Sequence, residues 1–153
     1  MSKKQNTHIY NTKAHQLKQK FSGMDVRKED VERGLSLCTQ KQNPFGFEIG
    51  CAYGREAGEI VRHTNRYLGI DIAENFIKIA REDVPEARFE VGDIEVDALP
   101  SGIDLIFAFA SLLHTPSDRM KDVLMRAQKA LNPEGIFYIS LKLGEYKEFT
   151  KTD

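Results

Sequence analysis

The sequence predicts an α/β domain of three layers, a mostly parallel sheet of about five strands between helices, preceded by a helical extension. Three observations carry that prediction. From Asn43-Pro44 onward, short apolar runs alternate with amphipathic stretches of helical period, which is the rhythm of a parallel sheet with crossover helices. Two of the runs, Ile103–Phe109 and Ile136–Leu141, are almost unbroken, as expected of central strands covered on both faces. The third is the string Glu48-Ile49-Gly50-Cys51-Ala52-Tyr53-Gly54-Arg55, in which a strand passes through a glycine turn directly into a helix.

The first 20 residues hold five lysines (Lys3, Lys4, Lys13, Lys18, Lys20) and no acid. With little apolar patterning before Ala14, this end is expected to be a mobile, solvated tail, or a lid that folds over the domain through Tyr10 and the helix after it. Ala14, Leu17 and Phe21 recur at helical spacing, Ser22-Gly23 breaks them, and a second helix is predicted from about Val26 to Cys38 with Asp25 as its N-cap. Strands are placed at Phe45–Ile49, Tyr67–Ile70, Ala87–Val91, Ile103–Phe109 and Ile136–Leu141. Helices fall at Arg55–His63, Glu74–Arg81 and Asp118–Leu131. Thr115 caps the last of these, Pro116 opens it and Asn132-Pro133 ends it. The chain thereby divides into a tail and helical lid, 1–43, and one α/β domain, 44–153.

A chain of 153 residues, 41% hydrophobic and 29% charged, accommodates one core and no second full domain. Its 22 basic and 23 acidic residues leave a net charge of −1, so no global field favours nucleic acid or an anionic membrane. No run is long and apolar enough for a membrane span, and the start lacks a signal-peptide pattern, so a cytoplasmic location is expected. Cys38 and Cys51 lie in no Cys/His cluster; both read as buried thiols, and no metal site is expected.

The glycine turn leaves backbone N–H groups free at a helix start, and glycine there lets a ligand approach the backbone. Alone, such a turn can equally serve strand-to-helix packing. Asp71 strengthens the ligand reading: it ends the second predicted strand 21 residues past Gly50, where a carboxylate accepts both hydroxyls of an adenosine ribose in Rossmann-like sheets. Asp93 follows the third strand, placed to take an adenine amino group, with Ile72 and Ile94 as apolar covers for the ring.

On these residues the stretch from Phe45 to Lys142 resembles the class I S-adenosylmethionine-dependent methyltransferases, particularly those acting on small molecules. Phe47-Glu48-Ile49-Gly50-Cys51-Ala52-Tyr53-Gly54-Arg55 is similar to the family's first motif, with Ala52 in place of its middle glycine. Leu68–Asp71 resembles its ribose-binding strand end, Phe89–Ile94 its adenine-binding one, Ile103–His114 its fourth strand and Leu131–Gly135 the turn before its fifth. The resemblance implies S-adenosylmethionine as cofactor. It implies that Glu48 orients the turn near the methionine amino group, that Gly50, Cys51, Ala52, Gly54 and Arg55 form the methionine side, that Asp71 holds the ribose, and that Phe109 and Ala110 run past the sulfonium. His114, just beyond the fourth strand, is the candidate general base or acceptor contact; a loop histidine bonded to nearby backbone is the competing reading. Asp104 is expected to order the start of the fourth strand.

The implied partner is a small-molecule acceptor of unidentified class. After Leu141 the remaining residues are too few for the strand pair that completes the family's sheet, so the fold is expected to be short at its C-terminus, with an open edge that a partner or second copy could cover. Two alternatives compete with methyl transfer. One is a cofactor-binding module without turnover. The other is a nicotinamide-dependent oxidoreductase, disfavoured because Gly50-Cys-Ala-Tyr-Gly54 lacks the Gly-x-Gly-x-x-Gly spacing that seats a pyrophosphate.

Overall fold

A computed structural model describes residues 3–39 and 41–142. The chain-order elements are α1 (Lys3–Thr12), α2 (Ala14–Phe21), α3 (Lys28–Leu37), β1 (Gly46–Ile49), α4 (Ala57–Ile60), β2 (Tyr67–Asp71), α5 (Glu74–Asp83), β3 (Arg88–Val91), β4 (Ile103–Phe109), α6 (Ser117–Ala130) and β5 (Leu131–Ser140), with a short 3-10 turn over Leu112–His114. Five strands form one parallel sheet in the order β3-β2-β1-β4-β5. The order reverses direction between β1 and β4. Loops diverge there, and open sheets of this type place their ligands at that point.

Alternation along the strands divides the core in two. Leu105, Phe107 and Phe109 of β4 meet Val31, Ala57, Ile60, Ile77 and Ala80, which come from α3, α4 and α5. Phe47, Ile49, Ile70, Ile106 and Ala108 face the opposite way, onto Val123, Ala127 and Ala130 of α6. Phe47 and Phe107 are fully buried, each worth about 1.5–3 kcal/mol of hydrophobic stabilisation. A third, smaller cluster joins Tyr10, Leu17 and Phe21 of the N-terminal helices to Phe76 and Ile79 of α5.

Several expectations are corrected. The N-terminal stretch is helical from Lys3, although α1 itself buries no residue. Asp25 does not cap α3, whose N-cap position is Arg27 without a side-chain cap. The helix expected over Arg55–His63 shrinks to Ala57–Ile60, with turns on either side. Pro116, not Thr115, occupies the N-cap of α6, and its extended ψ of 144° keeps it out of the helix, which begins at Ser117. Ile136–Leu141 is not central: β5 is the edge of the described sheet. Its apolar run arises because Ile136 and Tyr138 pack on one core cluster and Phe137 on the other. Cys51 is buried as expected, whereas Cys38 is only half-buried. Residues 143–153, to which the open-edge reading of the C-terminus extends, lie outside the described residues.

Asp104 does order the start of β4. Its Oδ2 accepts the Phe45 N–H at 2.9 Å and its Oδ1 the Asn132 amide at 2.7 Å, tying β1, β4 and the opening of β5 together at the end of the sheet away from the cavity.

Candidate functional site

The C-terminal ends of β1, β2, β3 and β4 open into one cavity of about 240 Å³. Gly50 leaves β1 with φ +71°, and a Cβ there would meet Ser111 Cβ at 2.3 Å, so only glycine allows the β4 loop to close over this turn. Ser111 fastens that loop by donating its hydroxyl to the Ile49 carbonyl at 2.6 Å. Ala52, which replaces the usual middle glycine, retains a left-handed backbone at φ +48°. Ala110, at φ +54°, turns the chain at the end of β4.

Asp71 ends β2. Its Oδ2 accepts the Ala52 N–H at 3.0 Å and its Oδ1 the Ala73 N–H at 2.8 Å, so one carboxylate locks the glycine turn to the start of α5. Burial raises its pKa, and the hydrogen bonds from Ala73, Ala52 and Ile72 oppose the rise. Three N–H donors leave about one of the carboxylate's four acceptor positions for a ligand.

Gly50, Ala52, Asp71, Ile72, Asp93 and Ile94 all line the cavity, and so do Phe109, Ala110 and His114. Glu48, Cys51, Gly54 and Arg55 do not. Glu48 lies beneath the turn, fully buried, where the Tyr67 hydroxyl donates to its Oε2 at 2.5 Å. Burial, with Glu56 and Asp71 nearby, pushes its pKa up to about 8, which favours the neutral acid. Cys51 packs under Gly69, and burial pushes its thiol well above the ordinary range, which leaves an inert, space-filling group. Gly54 packs on Phe89 and Ala80, while Arg55 is mostly buried and pairs with the buried Glu56 at 2.7 Å.

The cover of the cavity comes from α1, which the lysine-rich composition had not separated from a solvated tail. Lys3 reaches Asp93 Oδ2 at 2.6 Å and Glu95 Oε1 at 3.0 Å. Asn11 accepts the Asn75 N–H at 2.8 Å and the Asn75 amide at 2.9 Å, pinning α1 to the first turn of α5. Tyr10 Oη and His114 Nε2 lie 2.9 Å apart, so the competing backbone-bonded reading of His114 gives way to a side-chain partner. Asn6 and Ser111 also line the cavity without a motif to mark them. Away from it, Glu32, Glu59 and His63 bring one ligand atom each within 4.8 Å of one another, but Lys28 and Arg62 already answer the charge of the two acids.

The model of a methyltransferase domain matches residues 47–137. Trans-aconitate 2-methyltransferase of Variovorax paradoxus is 32% identical over 100 residues, which is 61% of this chain and 37% of that protein's length. Among solved structures, a TehB-like SAM-dependent methyltransferase from Corynebacterium glutamicum superposes with a TM-score of 0.66 at 26% identity, covering 88% of this chain and 71% of the other. A SAM-bound amino pentose methyltransferase from Micromonospora echinaspora shares the fold, with a TM-score of 0.72 at 15% identity over 84% of this chain and 56% of its own. With the motif-bearing strand ends gathered around one cavity and a family model running from β1 into β5, this chain belongs to the methyltransferase domain family.

Proposed function

We propose that this chain binds S-adenosylmethionine and transfers its methyl group to a small-molecule acceptor. The observation that carries the reading is the Asp71 carboxylate: it faces the cavity with acceptor capacity to spare, bonded to the glycine turn at the end of β1, whose Gly50 and Ala52 line the same cavity. In this reading Asp71 holds the ribose hydroxyls, Asp93 the adenine amino group, and Ile72 and Ile94 the faces of the ring. Gly50 and Ala52 admit the methionine portion, with Cys51, Gly54, Arg55 and Glu48 shaping the turn from behind. Phe109 and Ala110 pass the sulfonium, whose charge an aromatic face tolerates.

When bound, the cofactor supplies an electrophilic methyl carbon on a sulfonium. The chain's own work is to align an acceptor lone pair with that carbon, exclude water and receive the acceptor's proton, for which His114 is the candidate base. Two free cysteines support a cytoplasmic site of action. The edge of β5, unpaired among the described residues, is a further candidate for self-association, which sedimentation would measure.

Titration calorimetry with S-adenosylhomocysteine tests the cofactor reading. Asp71→Ala removes charge-assisted hydrogen bonds worth about 1.5–3 kcal/mol, so affinity is expected to fall roughly 10- to 150-fold. A folded protein that binds none of the nucleoside overturns the proposal. Methyl transfer to a panel comprising trans-aconitate, catechol and ethanolamine separates an enzyme from a binding module, which would bind without turnover.

A further inference from the structure

We propose that Tyr10 is a second acid–base residue of the acceptor site, its hydroxyl standing between His114 and the acceptor and passing the acceptor's proton to His114 Nε2. This rests on the methyl-transfer reading above, but its geometry is independent of it. Tyr10 and His114 come from segments 104 residues apart, and both line the cavity. Their polar atoms are 2.9 Å apart, and their rings meet edge-on with centroids separated by 5.6 Å.

Each partner is held from its own side. His114 ends the 3-10 turn Leu112–His114, in which Leu112 is buried and the preceding Ser111 is bonded to Ile49. Tyr10 packs against Phe76 with centroids 6.0 Å apart, and its neighbour Asn11 is doubly bonded to Asn75. A contact anchored at both ends loses little entropy on forming, unlike a chance pairing of surface side chains.

The direction of the hydrogen bond follows from acidity. A phenol O–H is a stronger donor than a neutral imidazole N–H. Burial raises the Tyr10 pKa, and the Asp71 carboxylate raises it further, so the phenol keeps its proton. Tyr10 therefore donates to Nε2, and the His114 proton resides on Nδ1. With its lone pair occupied, His114 reaches an acceptor only through the Tyr10 oxygen.

The transfer balances without any added reagent. An acceptor O–H or N–H gives its proton to Tyr10 Oη as Tyr10 releases its own to His114 Nε2, and the acceptor keeps the bonding pair with which it takes the methyl group. The resulting imidazolium returns its proton to water. Lys3, Asp71, Asp93 and Glu95 are the charged groups lining the same cavity, and Lys3 is paired with two of the three acids.

The test is Tyr10→Phe, which retains the ring and its packing. In 15N-histidine spectra, with His114→Gln to assign the resonance, the native protein should show His114 protonated on Nδ1 and bare at Nε2. Tyr10→Phe should shift it toward the Nε2–H tautomer while leaving affinity for S-adenosylhomocysteine within about two-fold. On acceptors from the panel, kcat should fall by about 10²-fold or more with KM little changed, the range expected for loss of an acid–base group. A Tyr10→Phe protein that keeps the native tautomer, or keeps native kcat, overturns the relay. The spectra are read with and without the nucleoside, so a failure of cofactor binding, which would sink the methyl-transfer reading, still leaves the pair measured.

Discussion

The floor and the roof of the cavity are built by different physics. The floor is the end of β1 and its turn, where Glu48 and Cys51 are almost wholly buried and the backbone is bonded to the next strand: the N–H groups of Gly50 and Cys51 both reach the Ile70 carbonyl, at 2.8 and 3.0 Å. The roof is α1, which buries no residue and is held by side chains acting singly, among them Lys3 on Asp93 and Glu95, Tyr10 on His114 and Phe76, and Asn11 on Asn75. A floor of this kind opens only with the sheet. A roof of this kind opens locally at small cost, because exposed polar contacts each contribute little. The two sides of the cavity thus differ in local stability, one rooted in the sheet and the other resting on a few side-chain contacts.

The largest effect should come from the floor. Gly50→Ala places a side chain in a left-handed conformation and drives its Cβ into Ser111 at 2.3 Å, with about 1–2 kcal/mol of backbone strain and a further 1–3 of overpacking. Urea unfolding should therefore show a loss of about 2–5 kcal/mol, and binding of S-adenosylhomocysteine should collapse. A variant of native stability would mean that the β4 loop does not close on the turn. A smaller but more diagnostic effect concerns Glu48. Its pKa is raised to about 8 in the fold but is ordinary when unfolded, so across the intervening pH range the unfolded state binds fewer protons and stability falls as pH rises. Glu48→Gln abolishes that titration. Relative to the variant, the native protein should lose about 2 kcal/mol between pH 5.5 and 7, at about 1.4 kcal/mol per pH unit. Parallel stability curves for the two proteins would show that Glu48 is ionised beneath the turn.

Floor and roof also differ in how far the sequence revealed them. Gly50, Asp71 and Asp93 were legible because strand ends impose local chemistry: a turn that needs positive φ, and acids at the ends of the next two strands. The strands themselves were placed within a residue or two, except β5. Its start at Leu131 follows from a register shift around Asn132–Gly135 that no periodicity encodes. The roof was ambiguous because its cavity-lining residues act singly. Lys3, Asn6 and Tyr10 form no apolar stripe, and a helix whose partners are side chains many residues away has no signature of its own. Ser111 escaped notice for the related reason that its role is to fit against a glycine contributed by another strand.

The smallest expected effect, Lys3→Ala, probes whether the roof merely covers the cofactor site or competes with it. Lys3 donates to Asp93 Oδ1 at 2.8 Å, and the same oxygen accepts the Glu95 N–H at 3.0 Å. Partial burial lowers the ammonium pKa, but Asp93 and Glu95 outweigh that and leave it above the usual range, so the charge persists at any physiological pH. If Asp93 is to receive an adenine amino group, the ammonium must yield part of this carboxylate. Both partners are partly solvent-exposed, so the bond to be broken is worth about 0.2–1 kcal/mol, and removing it should tighten S-adenosylhomocysteine binding about 1.4- to 5-fold. The gain should shrink as added salt screens the native pair. Weaker binding by Lys3→Ala would reverse the assignment, making the lysine a support for the bound nucleoside and the roof a part of the floor's recognition surface.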